Sequence, residues 1–231
     1  MSGIQLIGMH GWAGDHRGWA PWSRAAAARG WSFCCGERGY GQEAPQQPGW
    51  ASGSERRVVI GHSFGPHLLG EALWREATAA VLLASFTRFV PDGREGRAVN
   101  AALRAMGRRI RAGEEQEQLR DFLQQAASPQ SRALLPEGPL EQGVSPDGRK
   151  RLLEDLEQLG STSGLPAGFP SGIPVLIVEG GQDQIVSASS REELKQALPE
   201  ATVWSRSALG HSLIDPALPD AVLDWIADAQ A

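Results

Sequence analysis

Val58-Val59-Ile60-Gly61-His62-Ser63-Phe64-Gly65-Pro66-His67-Leu68-Leu69-Gly70-Glu71-Ala72-Leu73-Trp74 is the stretch that decides the fold. The β-branched run Val58-Val59-Ile60 reads as the end of a buried strand, and Pro66 to Trp74 as a helix. Between them Gly61 and Gly65 stand two positions either side of Ser63. A turn this sharp has no room for Cβ atoms at those positions. Strand, tight turn and helix together present a serine hydroxyl at an apex. A helix N-terminus behind it favours developing negative charge.

Outward from this turn, short apolar runs near 4–8, 31–35, 57–61, 79–84, 174–179 and 201–206 read as strands. They alternate with helical patterns near 19–29, 66–76, 190–198 and 219–229, the last but one opened by a capping box of Ser190 and Glu193. Such alternation predicts an α/β fold, a mainly parallel open sheet with helices on both faces. Glycines, prolines and Trp50 between 36 and 53 mark a long irregular connection. Between 86 and 169 the rhythm breaks: no strand pattern occurs, only two or three amphipathic helices with Pro- and Gly-containing joints. An all-helical excursion between two strands reads as a lid, with 160–172 as its return hinge. The expected division is a core of 1–85 and 170–231 and a helical lid of 86–169.

The chain has 231 residues, 41% of them hydrophobic and 21% charged, enough for one large domain with a substantial core. A net charge of −5 argues against a general nucleic-acid binder. No segment approaches the roughly 20 apolar residues of a membrane span, and residues 1–8 show no signal-peptide pattern. Cys34 and Cys35 are adjacent, which suits neither a structural disulfide nor a metal site. A cytoplasmic monomer without metal or cofactor is expected.

A serine needs a base to act as a nucleophile at neutral pH, and the base needs a carboxylate to hold its tautomer. Of the five histidines, His62 and His67 flank Ser63 too closely, and His10 and His16 lie near the first strand. His211 follows the last strand, in a loop that an open sheet brings to the same edge as Ser63. For the acid, Asp183 lies just past the buried run Val175-Leu176-Ile177-Val178-Glu179; Glu179 and Asp215 are the alternatives. The order Ser63, Asp183, His211 is that of hydrolases with an elbow of this kind. Gly11, in His10-Gly11-Trp12 after the first strand, permits close backbone approach, so the N–H groups of Trp12 and Phe64 are the expected oxyanion donors.

On these motifs, with Gly181-Gln182-Asp183 and Gly210-His211, residues 4–85 and 173–226 resemble the α/β-hydrolase superfamily. The chain departs from it in two places. Glu37-Arg38-Gly39-Tyr40-Gly41 replaces an Asp-x-Pro-Gly-x-Gly loop, and Pro66 stands where glycine commonly follows the elbow. A narrower resemblance is to the esterases that demethylate the methyl ester of pimeloyl–acyl-carrier protein in biotin synthesis (BioH/BioK type). It rests on compact size, His10-Gly11-Trp12, and Val81-Leu82-Leu83-Ala84-Ser85-Phe86 leading into the lid. It implies a substrate carried on an acidic acyl-carrier protein.

Between Arg88 and Arg111 stand seven arginines against Asp92 and Glu95. On a helical wheel Val99, Leu103, Met106 and Ile110 form one stripe, with Arg97, Arg104, Arg108 and Arg111 opposite. Such a row suits an acidic or phosphate-bearing partner, here the carrier. The resemblance places carrier-contacting arginines instead around a later lid helix near Phe122, where this chain offers Arg120 and Arg132. Trp12 and Phe122 are expected to bind substrate, with Phe64, Phe86 and lid leucines as further channel candidates. The expected reaction is ester hydrolysis through an acyl-enzyme on Ser63. A carboxylesterase or thioesterase for small free acyl substrates is the alternative, and a non-catalytic ligand-binding member of the fold is a second.

Overall fold

The computed structural model describes residues 3–229. Six strands form one sheet: β1 (Ile4–Met9), β2 (Ser32–Cys35), β3 (Arg56–His62), β4 (Ala79–Leu83), β5 (Val175–Gly180) and β6 (Thr202–Arg206). Their order is β2-β1-β3-β4-β5-β6 and every pairing is parallel. The chain runs outward from β1 to β2, then returns past β1 to β3. The topological switch therefore falls between β1 and β3, and ligand crevices open at the carboxyl ends of the strands flanking such a switch. Those ends carry His10-Gly11-Trp12 and His62-Ser63.

Period-2 alternation splits the core into two layers. Ile4, Leu6, Val58, Ile60 and Val81 point to one face, covered by Trp22 and Ala26 of α1 (Ala20–Ala28) and by Val222 and Ile226 of α8 (Leu218–Ala229). Ile7, Met9, Val59, Leu82 and Ile177 point to the other, covered by Trp74 of α2 (Glu71–Arg75) and Leu194 of α7 (Ala188–Ala197). Between β4 and β5 come α3 (Gly93–Arg111), α4 (Glu115–Ala127), the short α5 (Pro139–Gln142) and α6 (Pro146–Ser161), with no strand. Ile110, Leu119 and Leu152 fix this lid to the second layer; each is 0% exposed, worth roughly 1.5–3 kcal/mol per side chain. The stripe of Val99, Leu103, Met106 and Ile110 faces inward as the wheel predicts.

Three local expectations need correction. The helix over 66–76 is broken into a 3-10 turn, Gly65–Leu68, and α2, because Leu69 and Gly70 are extended (ψ 144 and 147). The Pro66 carbonyl, instead of continuing a helix, accepts from the Trp74 indole N–H at 3.0 Å. The cap of α7 is Ser187, whose hydroxyl accepts from the Ser190 N–H, so Ser190 sits inside the helix and the expected Ser190–Glu193 box does not form. Finally, α6 runs through Gly160 to Ser161, so the return loop begins at Thr162, two residues later than expected. Among the described residues no helix is long and apolar enough to cross a membrane.

Candidate active site

Ser63 adopts φ 55, a left-handed conformation rarely used by residues with a side chain. The turn is held from both sides: the Ser63 N–H donates to the Leu83 carbonyl at 2.8 Å, and the Ser85 hydroxyl donates to the Ser63 carbonyl at 2.8 Å. A Cβ on Gly61 would overlap the Pro66 ring, and one on Gly65 the Met9 carbonyl oxygen. The glycine requirement read from sequence is thus a packing requirement. The expected helix behind Ser63 is reduced to a single 3-10 turn, Gly65–Leu68, with a correspondingly small dipole.

The Ser63 hydroxyl donates to His211 Nε2 at 3.0 Å, and His211 Nδ1–H donates to Asp183 Oδ2 at 2.9 Å. The Asp183 side chain is fully buried, and its other oxygen accepts from the Ile185 and Val186 N–H groups at 2.7 and 3.0 Å. Burial pushes the Asp183 carboxyl up, but the His211 ring and those two N–H groups outweigh it and hold it below the ordinary carboxylate range. The alternatives are engaged elsewhere. Glu179 accepts from the Ser205 hydroxyl at 2.6 Å and pairs with Lys195, and Asp215 accepts from the Ala217 N–H.

His62, passed over in sequence as too close to Ser63, holds His211 in place from behind. Its Nε2–H donates to the His211 carbonyl at 3.0 Å, with the two rings 5.1 Å apart. Burial, reinforced by the neighbouring His211, pushes the His62 imidazole down to about 4, so it is neutral beside the His211 ring.

Gly11 packs against the elbow: a Cβ there would lie 2.8 Å from Ser63 Cβ and 3.3 Å from Oγ. Among the described residues neither the Trp12 nor the Phe64 backbone N–H has an internal acceptor, leaving both available to an oxyanion. The Trp12 indole N–H donates to the Leu152 carbonyl of α6 at 3.0 Å, and its ring meets Phe122 edge-on at 4.9 Å.

A cavity of about 490 Å³ opens onto Ser63 and His211. Trp12, Phe122, Leu123 and Ala126 wall it below the lid, and Trp19 and Trp22 wall it beside α1. Phe64 and Phe86 do not line it. They stack with His67 in the core behind the elbow, which corrects their expected channel role. Arg24 and Arg132 are its lining arginines, Arg132 paired with Glu141 at 2.7 Å. Arg97, Arg104, Arg108 and Arg111 are exposed on α3, Arg104 and Arg111 bordering a separate groove against α6, and none lines the cavity at Ser63. Arg111 pairs with Glu157, whereas Arg97, Arg104 and Arg108 have no ion-pair partner among the described residues. Asp15, His16 and Glu37 bring ligand atoms within 4.8 Å of one another, but Arg17 already neutralises Asp15, and the His16 and Gly39 N–H groups occupy Glu37.

No family model matches this sequence, and no curated protein matches it. Solved structures do match. An esterase from Exiguobacterium antarcticum superposes with a TM-score of 0.74 at 14% identity, covering 100% of this chain and 93% of that one. A bromoperoxidase from Bacillus anthracis gives a TM-score of 0.74 at 16% identity, covering 97% and 92%. An enol-lactonase from Burkholderia xenovorans LB400 gives 0.69 at 18%, covering 97% and 91%. With the parallel sheet and its order, these likenesses establish the α/β-hydrolase fold.

Proposed function

We propose that this protein is a serine hydrolase of carboxylic esters working through an acyl-enzyme. The observation that carries the proposal is the unbroken relay from Asp183 through His211 to the Ser63 hydroxyl, at 2.9 and 3.0 Å, on the floor of an apolar cavity. Ser63 Oγ attacks the ester carbonyl while His211 Nε2 takes its proton. Asp183 stabilises the resulting imidazolium, and the Trp12 and Phe64 N–H groups receive the oxyanion. His211 returns the proton to the departing alcohol. Water then attacks the acyl-enzyme by the same route and frees the carboxylic acid. These steps need no metal or organic cofactor.

For the substrate, the methyl ester of pimeloyl–acyl-carrier protein is the specific candidate. Its support is the apolar wall of Trp12 and Phe122, suited to an acyl chain, and the row of Arg97, Arg104, Arg108 and Arg111, suited to docking an acidic carrier. A small free ester or thioester is favoured instead by one observation: those arginines do not border the cavity. Comparing kcat/KM on the carrier-linked methyl ester and on free methyl pimelate separates the two. A preference of at least about tenfold for the carrier-linked form supports docking, and equal efficiency supports the free substrate. A folded protein that neither hydrolyses esters nor labels at Ser63 with a fluorophosphonate would instead be a ligand-binding member of the fold.

A further inference from the structure

Asp155 of α6 is 0% exposed and takes no part in the relay around Ser63. Arg38 grips it with both arms, Nε to Oδ2 at 2.8 Å and a terminal nitrogen to Oδ1 at 2.6 Å, and the Tyr40 hydroxyl donates to Oδ2. Both of these partners also touch His10. The Arg38 backbone N–H donates to His10 Nε2 at 3.1 Å, and the Tyr40 ring meets the His10 ring edge-on at 5.9 Å. With Nε2 accepting, the proton sits on Nδ1, which donates to the Gly11 carbonyl at 2.9 Å. The Glu37 carboxylate also faces Nε2, at 3.6 Å. One turn before Asp155, the Leu152 carbonyl accepts the Trp12 indole N–H. The loop from His10 to Trp12 is therefore held at both ends by the same lid helix.

We infer that Asp155 is a positioning residue that sets the oxyanion loop: through Arg38 and Tyr40 it fixes His10, and through His10 the peptide that carries the Trp12 N–H. The sequence already flags the cluster, because Arg38 and Tyr40 lie in the loop that departs from the superfamily pattern. An oxyanion donor works only if preorganised, and a displacement of about 1 Å costs on the order of 100-fold in rate. Substrate binding in the ground state does not use that donor, so the deficit belongs in kcat. The inference rests on the proposed role of the Trp12 N–H.

The test uses Asp155→Asn and Arg38→Met, each checked for fold by circular dichroism and thermal melting, with Ser63→Ala as reference. Hydrolysis of a p-nitrophenyl ester is measured alongside affinity for a trifluoromethyl ketone, whose tetrahedral adduct places an oxyanion where the intermediate's lies. The expected result in folded variants is a fall in kcat of about 10- to 100-fold, KM within about threefold, and a parallel loss of ketone affinity. Folded variants with unchanged kcat and ketone affinity overturn the inference. So does loss of the folded state in both variants, which assigns the cluster to stability alone. Should Ser63→Ala retain wild-type activity, it is the serine-hydrolase proposal that fails. A Ser63-dependent activity untouched by either variant leaves that proposal standing and removes only this inference.

Discussion

Ser63 Oγ and His211 Nε2 lie 3.0 Å apart although 148 positions separate them in the chain. The parallel sheet closes that distance by delivering the carboxyl ends of β3 and β6 to one edge. Three contacts then hold the His211 loop there. The His62 ring donates to the His211 carbonyl, the Ser212 N–H donates to the Ala126 carbonyl of α4 at 3.0 Å, and Asp183 orients the imidazole. His211 is thus positioned by the elbow, α4 and the Asp183 loop together.

Ser63→Ala and His211→Ala are expected to lower kcat on an activated ester by about four to six orders of magnitude, with folding retained. Asp183→Asn, which leaves the wrong tautomer on His211, is expected to cost about 10³- to 10⁴-fold. Single-turnover kinetics read the loss in the acylation step. A residual rate within tenfold of wild type for any of the three contradicts the assigned roles.

Stability is expected to fall as pH drops from about 7 to 4. In the unfolded chain His62 takes up its proton near 6.5, in the folded protein only near 4, so across that window the unfolded state binds more protons. The folded-state pKa is depressed, so the contribution is complete above the unfolded value and declines as pH falls, by up to about 3 kcal/mol. Asp183, held below its ordinary range, adds a second loss below about pH 4. Urea melts at pH 7, 5.5 and 4 measure the slope, and His62→Gln should reduce it between 6.5 and 4, leaving the part owed to His67, whose imidazole burial also pushes down. An equal slope in that variant removes His62 as the source.

Gly65→Ala is expected to destabilise the fold, because the added methyl meets the Met9 backbone rather than a flexible side chain. Overpacking of this kind costs about 1–3 kcal/mol, and a domain of this size loses about 2–4 °C of Tm per kcal/mol. Differential scanning calorimetry gives the shift. Gly18→Ala, at a position with open space around it, is the control and should melt within about 1 °C of wild type.

Reversing Arg104 and Arg108 to glutamate is expected to leave hydrolysis of a p-nitrophenyl ester unchanged, since both side chains are exposed and outside the cavity. Should a carrier dock on α3, the same double change lowers kcat/KM for the carrier-linked ester at least about tenfold, most strongly at low salt. No change on either substrate moves the docking surface away from α3.

The fold and the relay were legible because each rests on local chemistry. β-branched runs mark the buried strands, and only glycines flank a serine on a turn this tight. The six strands fall within one or two residues of their expected places. What the sequence concealed depends on long-range contacts. Phe64 and Phe86 look like channel residues until the elbow turns them into the core. The helix after the elbow looks continuous until the Trp74 indole takes the Pro66 carbonyl. His62 looked too close to Ser63 to matter, yet its reach is to a backbone 149 positions away. Asp155 carried no signal of its own on an amphipathic helix; only the odd loop containing Arg38 and Tyr40 hinted at a partner.

The central claim is that Ser63 is a nucleophile activated by His211. Intact-mass spectrometry after treatment with a fluorophosphonate, followed by peptide mapping, tests it most directly. The account predicts one adduct per chain, on the peptide containing Ser63, formed rapidly in the wild type and absent in Ser63→Ala and His211→Ala. Folded wild-type protein that takes up no adduct, or carries it on another residue, contradicts it.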